Sequence, residues 1–265
     1  MKIVITGSGG RLGAALLREY GKQFEVIGFN RADLDLADFA GLRQTLGHND
    51  FDLLINAAAF TNVDLAEKER DQAFQVNAEA PRVLAGICSE KGARLVHIST
   101  DYVFAGDKND PYKEEDPARP ISAYGESKLA GENAVLGVSD KHLVVRVSWV
   151  FGPDRPSFID QIIGRAQEND RVSAVADKVS TPTYTRDIAD MLLRIVAGVT
   201  GPSRTGIPRY SSGVLHIANS GQASWREYAQ HALDCCAVLD GGARGQRALL
   251  RLPGRAAGWH RGYSF

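Results

Sequence analysis

Short apolar, largely β-branched runs alternate with helix-patterned stretches through the first 150 positions, and that alternation leaves few folds open. Runs at 2–6, 24–29, 52–56, 94–99 and 142–147 read as buried strands because they are brief and continuously apolar. Between them, 11–20, 39–46, 66–90 and 122–137 carry apolar residues at helical spacing, with Leu12, Leu16 and Leu17 on one face of the first. A strand that returns in parallel through a helix needs a right-handed crossover, and repeated crossovers give a parallel sheet covered on both faces. The predicted class is α/β, a Rossmann-like doubly wound parallel sheet, whose ligands lie beyond the carboxyl ends of the strands.

Past Gly152 the alternation weakens. Helical patterns occupy 157–168 and 186–197, a loop rich in Gly, Pro and Ser follows at 198–213, and 214–217 is a short strand. Ser224 with Glu227 three residues later is a capping box, which starts another helix there. These segments predict a smaller lobe over 151–240, discontinuous with parts of the first 150 residues. The loop 105–121, with prolines and mixed charge, reads either as a cover over a site or as a plain surface connection. Asn77 sits inside the long helical stretch, where it either breaks the helix through a buried contact or is an ordinary polar helix residue. Residues 241–265 hold Arg, Gly and Ala without an acidic side chain or a periodic pattern, an atypical basic tail that is either out of frame or flexible.

At 265 residues the chain is long enough for a full core. Its net charge of −1 supplies no basic field for nucleic acid. Three cysteines, two of them the adjacent Cys235 and Cys236, make neither a disulfide framework nor a zinc site, so no metal is expected. No apolar run nears the ~20 residues that span a bilayer, and no basic-then-apolar leader precedes the first strand. A cytoplasmic protein is the expectation.

Gly7, Gly10 and Gly13 stand between the first strand and the first helix. Glycines at this spacing give a tight turn, let backbone amides approach a pyrophosphate, and let helix and sheet pack closely. Together with Arg11 and Leu12 they form the predicted dinucleotide site, at a helix N-terminus whose dipole favours phosphate. In binders of the unphosphorylated dinucleotide an acidic residue usually ends the second strand. Here that position is Asn30, followed by Arg31. A guanidinium there either pairs with a 2′-phosphate or is a solvated surface charge; the first reading favours NADPH, with NADH as the alternative. Asp35 and Leu36 either reach the adenine or, in the case of Asp35, cap the helix near residue 39. Ala57, Ala58 and Ala59, after the third strand, let the backbone pass close to a flat cofactor or simply pack tightly.

Tyr124 and Lys128 are four apart in a helix and so share a face. A neighbouring ammonium favours the phenolate and brings the Tyr124 pKa towards working pH. Thr100, just past the fourth strand, supplies a small hydroxyl for the same carbonyl oxygen. Tyr124, Lys128 and Thr100 are the predicted catalytic group, with Tyr124 and Lys128 also touching the cofactor. Each alone has a bland reading as a surface or helix residue. Their order along one chain points to hydride transfer between a nicotinamide and a sugar or alcohol carbon.

These motifs together resemble the extended short-chain dehydrogenase/reductase superfamily, and within it the dTDP-4-dehydrorhamnose reductases. The likeness is carried by the stretches at 56–67, 99–104, 124–132, 146–152 and 182–183, of which Ser-Thr-Asp-Tyr-Val-Phe at 99–104 is far more specific than the glycine turn. It spans about 1–235. The resemblance implies that Thr61, Val63, Asp101, Tyr102 and Trp149, with Thr100, line a sugar pocket. It also implies a nucleotide-sugar substrate and reduction by NADPH of C4 of dTDP-4-dehydro-β-L-rhamnose. A homodimer is compatible with it. The division becomes an NAD(P)-binding domain at 1–150 and a substrate lobe at 151–240. A non-catalytic regulatory subunit resembling that of methionine adenosyltransferase is the alternative. At 241–265 the chain departs from the family, whose members carry an Arg-rich, Pro-containing motif followed by a helix.

Overall fold

The computed structural model describes residues 1–108, 110–200, 212–239 and 250–252. In chain order the elements are β1 (Lys2–Thr6), α1 (Arg11–Tyr20), β2 (Glu25–Phe29), α2 (Phe39–Gly47), β3 (Leu53–Asn56), α3 (Val63–Lys68), α4 (Arg70–Phe74), a π-helical turn (Gln75–Glu79), α5 (Ala80–Glu90), β4 (Arg94–Thr100), α6 (Ala123–Val138) and β5 (Leu143–Val147). Then come β6 (Val150–Phe151), α7 (Phe158–Glu168), β7 (Ser173–Val175), β8 (Val179–Ser180), β9 (Thr183–Tyr184), α8 (Thr185–Thr200), β10 (Gly213–Ile217), β11 (Ala223–Ser224), α9 (Trp225–Leu239) and β12 (Leu250–Leu252).

Among the described residues, six strands form one sheet in the order β10-β5-β4-β3-β1-β2. Every pairing in it is parallel. Successive side chains of a strand point to opposite faces, and here both faces are apolar. Ile3, Ile5, Ile55 and Val145 meet Leu12 and Leu16 of α1 and Ile188 and Leu192 of α8 on one side. Val4, Leu54, Leu95 and Val144 meet Leu42, Leu84, Ile87 and Val135 of α2, α5 and α6 on the other. The chain order reverses between β1 and β3, and the crevice at that reversal is where such sheets hold ligands.

β10 and α8 return to the sheet after the excursion of β6 through β9. Tyr20 of α1 donates to the Ala189 carbonyl of α8 at 2.9 Å, tying them together. Helix α8 runs to Thr200, three residues into the stretch expected as loop. Its continuation and the basic tail, apart from β12 beside β7, lie outside the described residues.

The long helix expected over 66–90 is three helices and a π-turn. Asn77, in that turn, is responsible for part of the break. Its amide accepts from the Phe60 N–H at 2.8 Å and donates to the Phe60 carbonyl and the Ser127 hydroxyl, both at 3.0 Å. The widened turn presses its carbonyl oxygen against Gly131 of α6, where any side chain would collide with it. The capping box at Ser224 forms as expected, with Glu227 accepting from the Ser224 N–H at 2.7 Å.

The loop 105–121 differs from the cover that its composition suggested. Tyr112 stacks on Phe104 at 4.4 Å, and Glu114 accepts from the His216 N–H of β10 at 2.8 Å. Among its described residues the loop is tied to the β10 edge of the sheet through Glu114.

Candidate active site

The turn after β1 is glycine by necessity. Gly7 has φ +72°, and a Cβ there would lie 2.7 Å from the Ala58 nitrogen. The Gly10 N–H closes the turn on the Gly7 carbonyl at 2.8 Å. Gly13 backs onto that same carbonyl, so the first turn of α1 packs directly against the strand end. Gly10 caps α1 without a side-chain acceptor, leaving the helix dipole's positive end for an anion. Gly7, Gly10, Arg11 and Leu12 line a cleft of about 950 Å³; Gly13 lies behind it and acts through packing.

Asn30, Arg31, Asp35 and Leu36 form one end of this cleft. The Asn30 side-chain oxygen accepts from the Ala32 N–H at 2.7 Å and so builds the turn, leaving its NH₂ for a ligand. Capping of α2 falls to Asp38, which accepts from the Gly41 N–H at 3.0 Å; Asp35 instead accepts from the Ala37 N–H. Arg155, which sequence reading missed, reaches across from the second half and donates to the Gly9 carbonyl at 2.8 Å. Arg11 answers from the other side, donating to the Val150 carbonyl at 3.1 Å and the Pro156 carbonyl at 2.5 Å. Its guanidinium is thus committed to the chain, so only its backbone is offered to a phosphate.

Tyr124, Thr100 and Lys128 all reach the middle of the cleft. The Ser122 hydroxyl caps α6 by accepting from the Gly125 N–H at 3.1 Å, which starts the helix so that Tyr124 is in its first turn. Gly125 lets that turn approach the Tyr102 carbonyl. The Thr100 hydroxyl oxygen accepts from the Tyr102 N–H at 3.2 Å, and Thr100 lies beside the Tyr124 phenol on the cleft wall. Burial pushes the Tyr124 phenol up to about 12, with Thr100 opposing the rise. The expected lowering by Lys128 is not what the geometry gives. Lys128 points its amine at the Ile98 carbonyl, 2.8 Å, and at His97, 3.2 Å. Burial brings its own pKa down to about 8, against a smaller upward pull from Glu132.

Glu132, one helical turn further, is held by both nitrogens of a fork from Arg146, at 2.9 and 2.6 Å, and by the Ser99 hydroxyl. Removing one partner of such a buried pair leaves the other charge unmatched.

Thr61, Val63, Asp101, Tyr102 and Trp149 gather at the other end. The two Asp101 oxygens accept from the Thr100 and Ser148 hydroxyls at 3.0 and 2.8 Å, so Asp101 fixes the floor beneath Thr100. Tyr102 meets Tyr124 edge-on at 5.4 Å. Trp149 has φ +38°, a strained backbone for a bulky residue. Stacking on Trp225 at 5.1 Å and edge contact with Tyr228 at 4.8 Å hold it there. Lys178 lies 4.3 Å over the Trp225 ring and donates to the Tyr102 hydroxyl at 3.0 Å. Trp225, Tyr228 and Lys178 were invisible to spacing arguments because they come from distant segments. Of the predicted site residues only Gly13 stays off the cleft wall.

Among the described residues no cluster suits a metal ion, and no helix is long and apolar enough to cross a membrane.

Comparison with known proteins agrees with this geometry. The model of the RmlD substrate binding domain family matches residues 1–244. The chain is 37% identical over 243 residues to a dTDP-4-dehydrorhamnose reductase of Burkholderia thailandensis, covering 92% of this chain and 81% of that protein. It is 35% identical to the spore coat polysaccharide biosynthesis protein SpsK of Bacillus subtilis, over 86% of this chain and 77% of that one. Among solved structures, dTDP-4-dehydrorhamnose reductase from Bacillus anthracis in complex with NADP superposes with a TM-score of 0.87 at 32% identity, covering 100% of this chain and 88% of that one. With its parallel sheet, its glycine turn and these relatives, the chain belongs to the RmlD substrate binding domain family.

Proposed function

We infer that this protein is an NADPH-dependent reductase of 4-keto nucleotide sugars, converting dTDP-4-dehydro-β-L-rhamnose to dTDP-L-rhamnose. The observation that carries the reading is Tyr124 with Thr100 beside its phenol and Lys128 one helical turn on, in one cleft with the glycine turn. The named reductases among its relatives support the substrate, and the NADP complex of the Bacillus anthracis structure supports the cofactor.

The residues fit a dinucleotide. A Cβ at Gly7 would strike the Ala57–Ala58 backbone, so the turn and Ala57–Ala59 stand close together on the cleft wall, with the N-terminus of α1 uncapped by any side chain at Gly10. Gly10, Arg11 and Leu12 would meet the pyrophosphate with backbone, Arg31 a 2′-phosphate, and Asp35 and Leu36 the adenine side. A bound nicotinamide supplies the hydride. Tyr124, a neutral phenol at neutral pH, gives its proton to the oxygen that becomes negative. Thr100 would turn its hydroxyl from Asp101 to donate to the same oxygen and keep it in line. Thr61, Val63, Asp101, Tyr102 and Trp149 are assigned to the sugar, whose flat apolar face suits an indole.

On this reading 1–150 form the cofactor domain and 151–240 the lobe that closes over the sugar. A cytoplasmic location and a homodimer belong to the same proposal. The regulatory-subunit alternative has no use for an intact proton donor.

The test is NADPH oxidation by the purified protein with dTDP-4-dehydrorhamnose beside UDP- and GDP-linked 4-keto sugars. Turnover with the dTDP sugar, reduced by about 10³-fold in Tyr124→Phe, is expected. A folded, NADPH-binding protein with no turnover on any of them overturns the assignment.

A further inference from the structure

Arg155 comes from the loop between β6 and α7, yet it lines the same cleft as the glycine turn. That loop is tied down against α1. Arg11 donates to the carbonyls of Val150 and Pro156, and Arg18 pairs with Asp154. Pro153 and Pro156, on either side of Asp154 and Arg155, narrow the backbone further. Ser157 then opens α7 through a capping box with Asp160. The Arg155 backbone is therefore fixed, and its side chain reaches out over the turn.

That side chain spends one of its three nitrogens on the protein. Nε donates to the Gly9 carbonyl at 2.8 Å, and neither Nη has a hydrogen-bond or ion-pair partner among the described residues. The space where a Gly9 Cβ would stand is bordered by Asn30 Cβ at 3.4 Å and by Arg155 Nη2 at 3.8 Å. Arg155 and the residue after β2 thus face each other across a gap that glycine leaves open. The end of the second strand is where a sheet of this kind meets the 2′ position of the adenine ribose. Arg31 follows Asn30 there and lines the cleft, as Asp35 does. Asp33 is at the same end, accepting from the Asn30 N–H at 3.1 Å. Arg31 alone would face two carboxylates that repel a phosphate; a second guanidinium offsets them.

We propose that Arg155 is a specificity-determining residue for NADPH, forming with Arg31 a two-sided clamp on the 2′-phosphate across Gly9. The proposal rests on the cofactor assigned under the proposed function. A planar fork suits the task, because Nε stays on Gly9 while the Nη pair meets phosphate oxygens, so no existing bond is broken. The pyrophosphate belongs one step along the chain, at the backbone N–H groups where α1 begins. The other cations of the cleft are engaged elsewhere, Arg11 on the loop carbonyls and Lys128 on the Ile98 carbonyl. Since Arg155 follows Trp149 by six residues, one short loop serves both ends of the cleft.

The proposal is tested by dinucleotide binding to the full-length protein without sugar or turnover, read from the fluorescence of NADPH and NADH. Arg155→Ala should weaken NADPH about tenfold and change NADH by less than about twofold. Competition with 2′,5′-ADP should show the same tenfold loss, and competition with 5′-AMP none. Arg155→Lys, which keeps the charge and loses the fork, should recover part of the NADPH affinity. Arg155→Glu should reject NADPH more strongly than Arg155→Ala does and still bind NADH. Equal losses for NADPH and NADH would place Arg155 on the pyrophosphate and overturn the proposal. Unchanged NADPH affinity in Arg155→Ala overturns it as well. A wild-type protein that binds NADH but not NADPH overturns the cofactor assignment itself, and the clamp with it.

Discussion

The two ends of the cleft are built by different means. At the β1–α1 end the wall is backbone: Gly7, Gly10 and the alanines Ala57–Ala59, with contacts between near neighbours or adjacent strands. At the Trp149 end the wall is side chains, Trp149 and Tyr102, backed by segments far apart: Trp225 stacks on Trp149, and Lys178 lies over both Trp225 and Tyr102. The first end leaves no freedom, since a methyl group would collide. The second tolerates imperfection: among the described residues, the buried Trp225 indole nitrogen and Tyr228 hydroxyl find no hydrogen-bond partner. A site that must accept one invariant cofactor and one shape of sugar can fix the former in the backbone and leave the latter to replaceable side chains.

The sharpest way to break this contrast is Gly13→Val. A side chain there collides with the Gly7 carbonyl, and the backbone has no room to yield. We expect a loss of about 3 kcal/mol or more in urea unfolding, together with loss of NADPH binding. Wild-type stability would mean that the turn is far looser than its geometry.

Next is the buried amine between the two ends. Below about pH 8 Lys128 is protonated in native and unfolded chains, and the native state bears the cost of a buried charge. Between about 8 and its ordinary value the unfolded chain still holds the proton while the native one has released it. Stability attributable to Lys128 therefore rises with pH across that window. Lys128→Met should stabilise the protein by roughly 2–3 kcal/mol at pH 7, with the gain fading as pH climbs towards 10.5. Denaturant midpoints at pH 7 and pH 10 measure it, and an equal gain at both would exclude the charge as its cause.

Arg31→Ala probes the contact proposed between its guanidinium and a 2′-phosphate. It should cut the preference for NADPH over NADH by about tenfold, read from the ratio of kcat/KM values, while leaving the KM for the sugar unchanged. The smallest effect is at the other end. Tyr228→Phe removes an unpartnered buried hydroxyl, so stability should stay level or rise by up to about 1 kcal/mol. A loss of 2 kcal/mol would show that the hydroxyl is satisfied in solution.

What could be read in advance follows the same division. The strands, the first helix and the glycine turn depend on local spacing, and they lie within a residue or two of where the pattern put them. Tyr124 and Lys128 share a face because helical geometry requires it. Their relation, however, was misjudged: the amine turns to Ile98 and His97, a choice made by partners on β4 that spacing along α6 does not contain. The break at 75–79, one of the two readings left open for Asn77, was decided in the same way, since Asn77 bonds residues 17 and 50 positions away. Arg155 stood in a stretch with no motif, and the capping box around Trp225 said nothing of a contact with Trp149.

The sequence by itself determined a parallel sheet, a phosphate-ready turn and a phenol one helical turn from an amine, because each is encoded in residues a few positions apart. Only the tertiary structure decided where the protons rest, which arginine is spent on the chain and which aromatic rings wall the far end. Those depend on burial and on donors meeting acceptors across the sheet, and both exist only once distant segments have closed on one another.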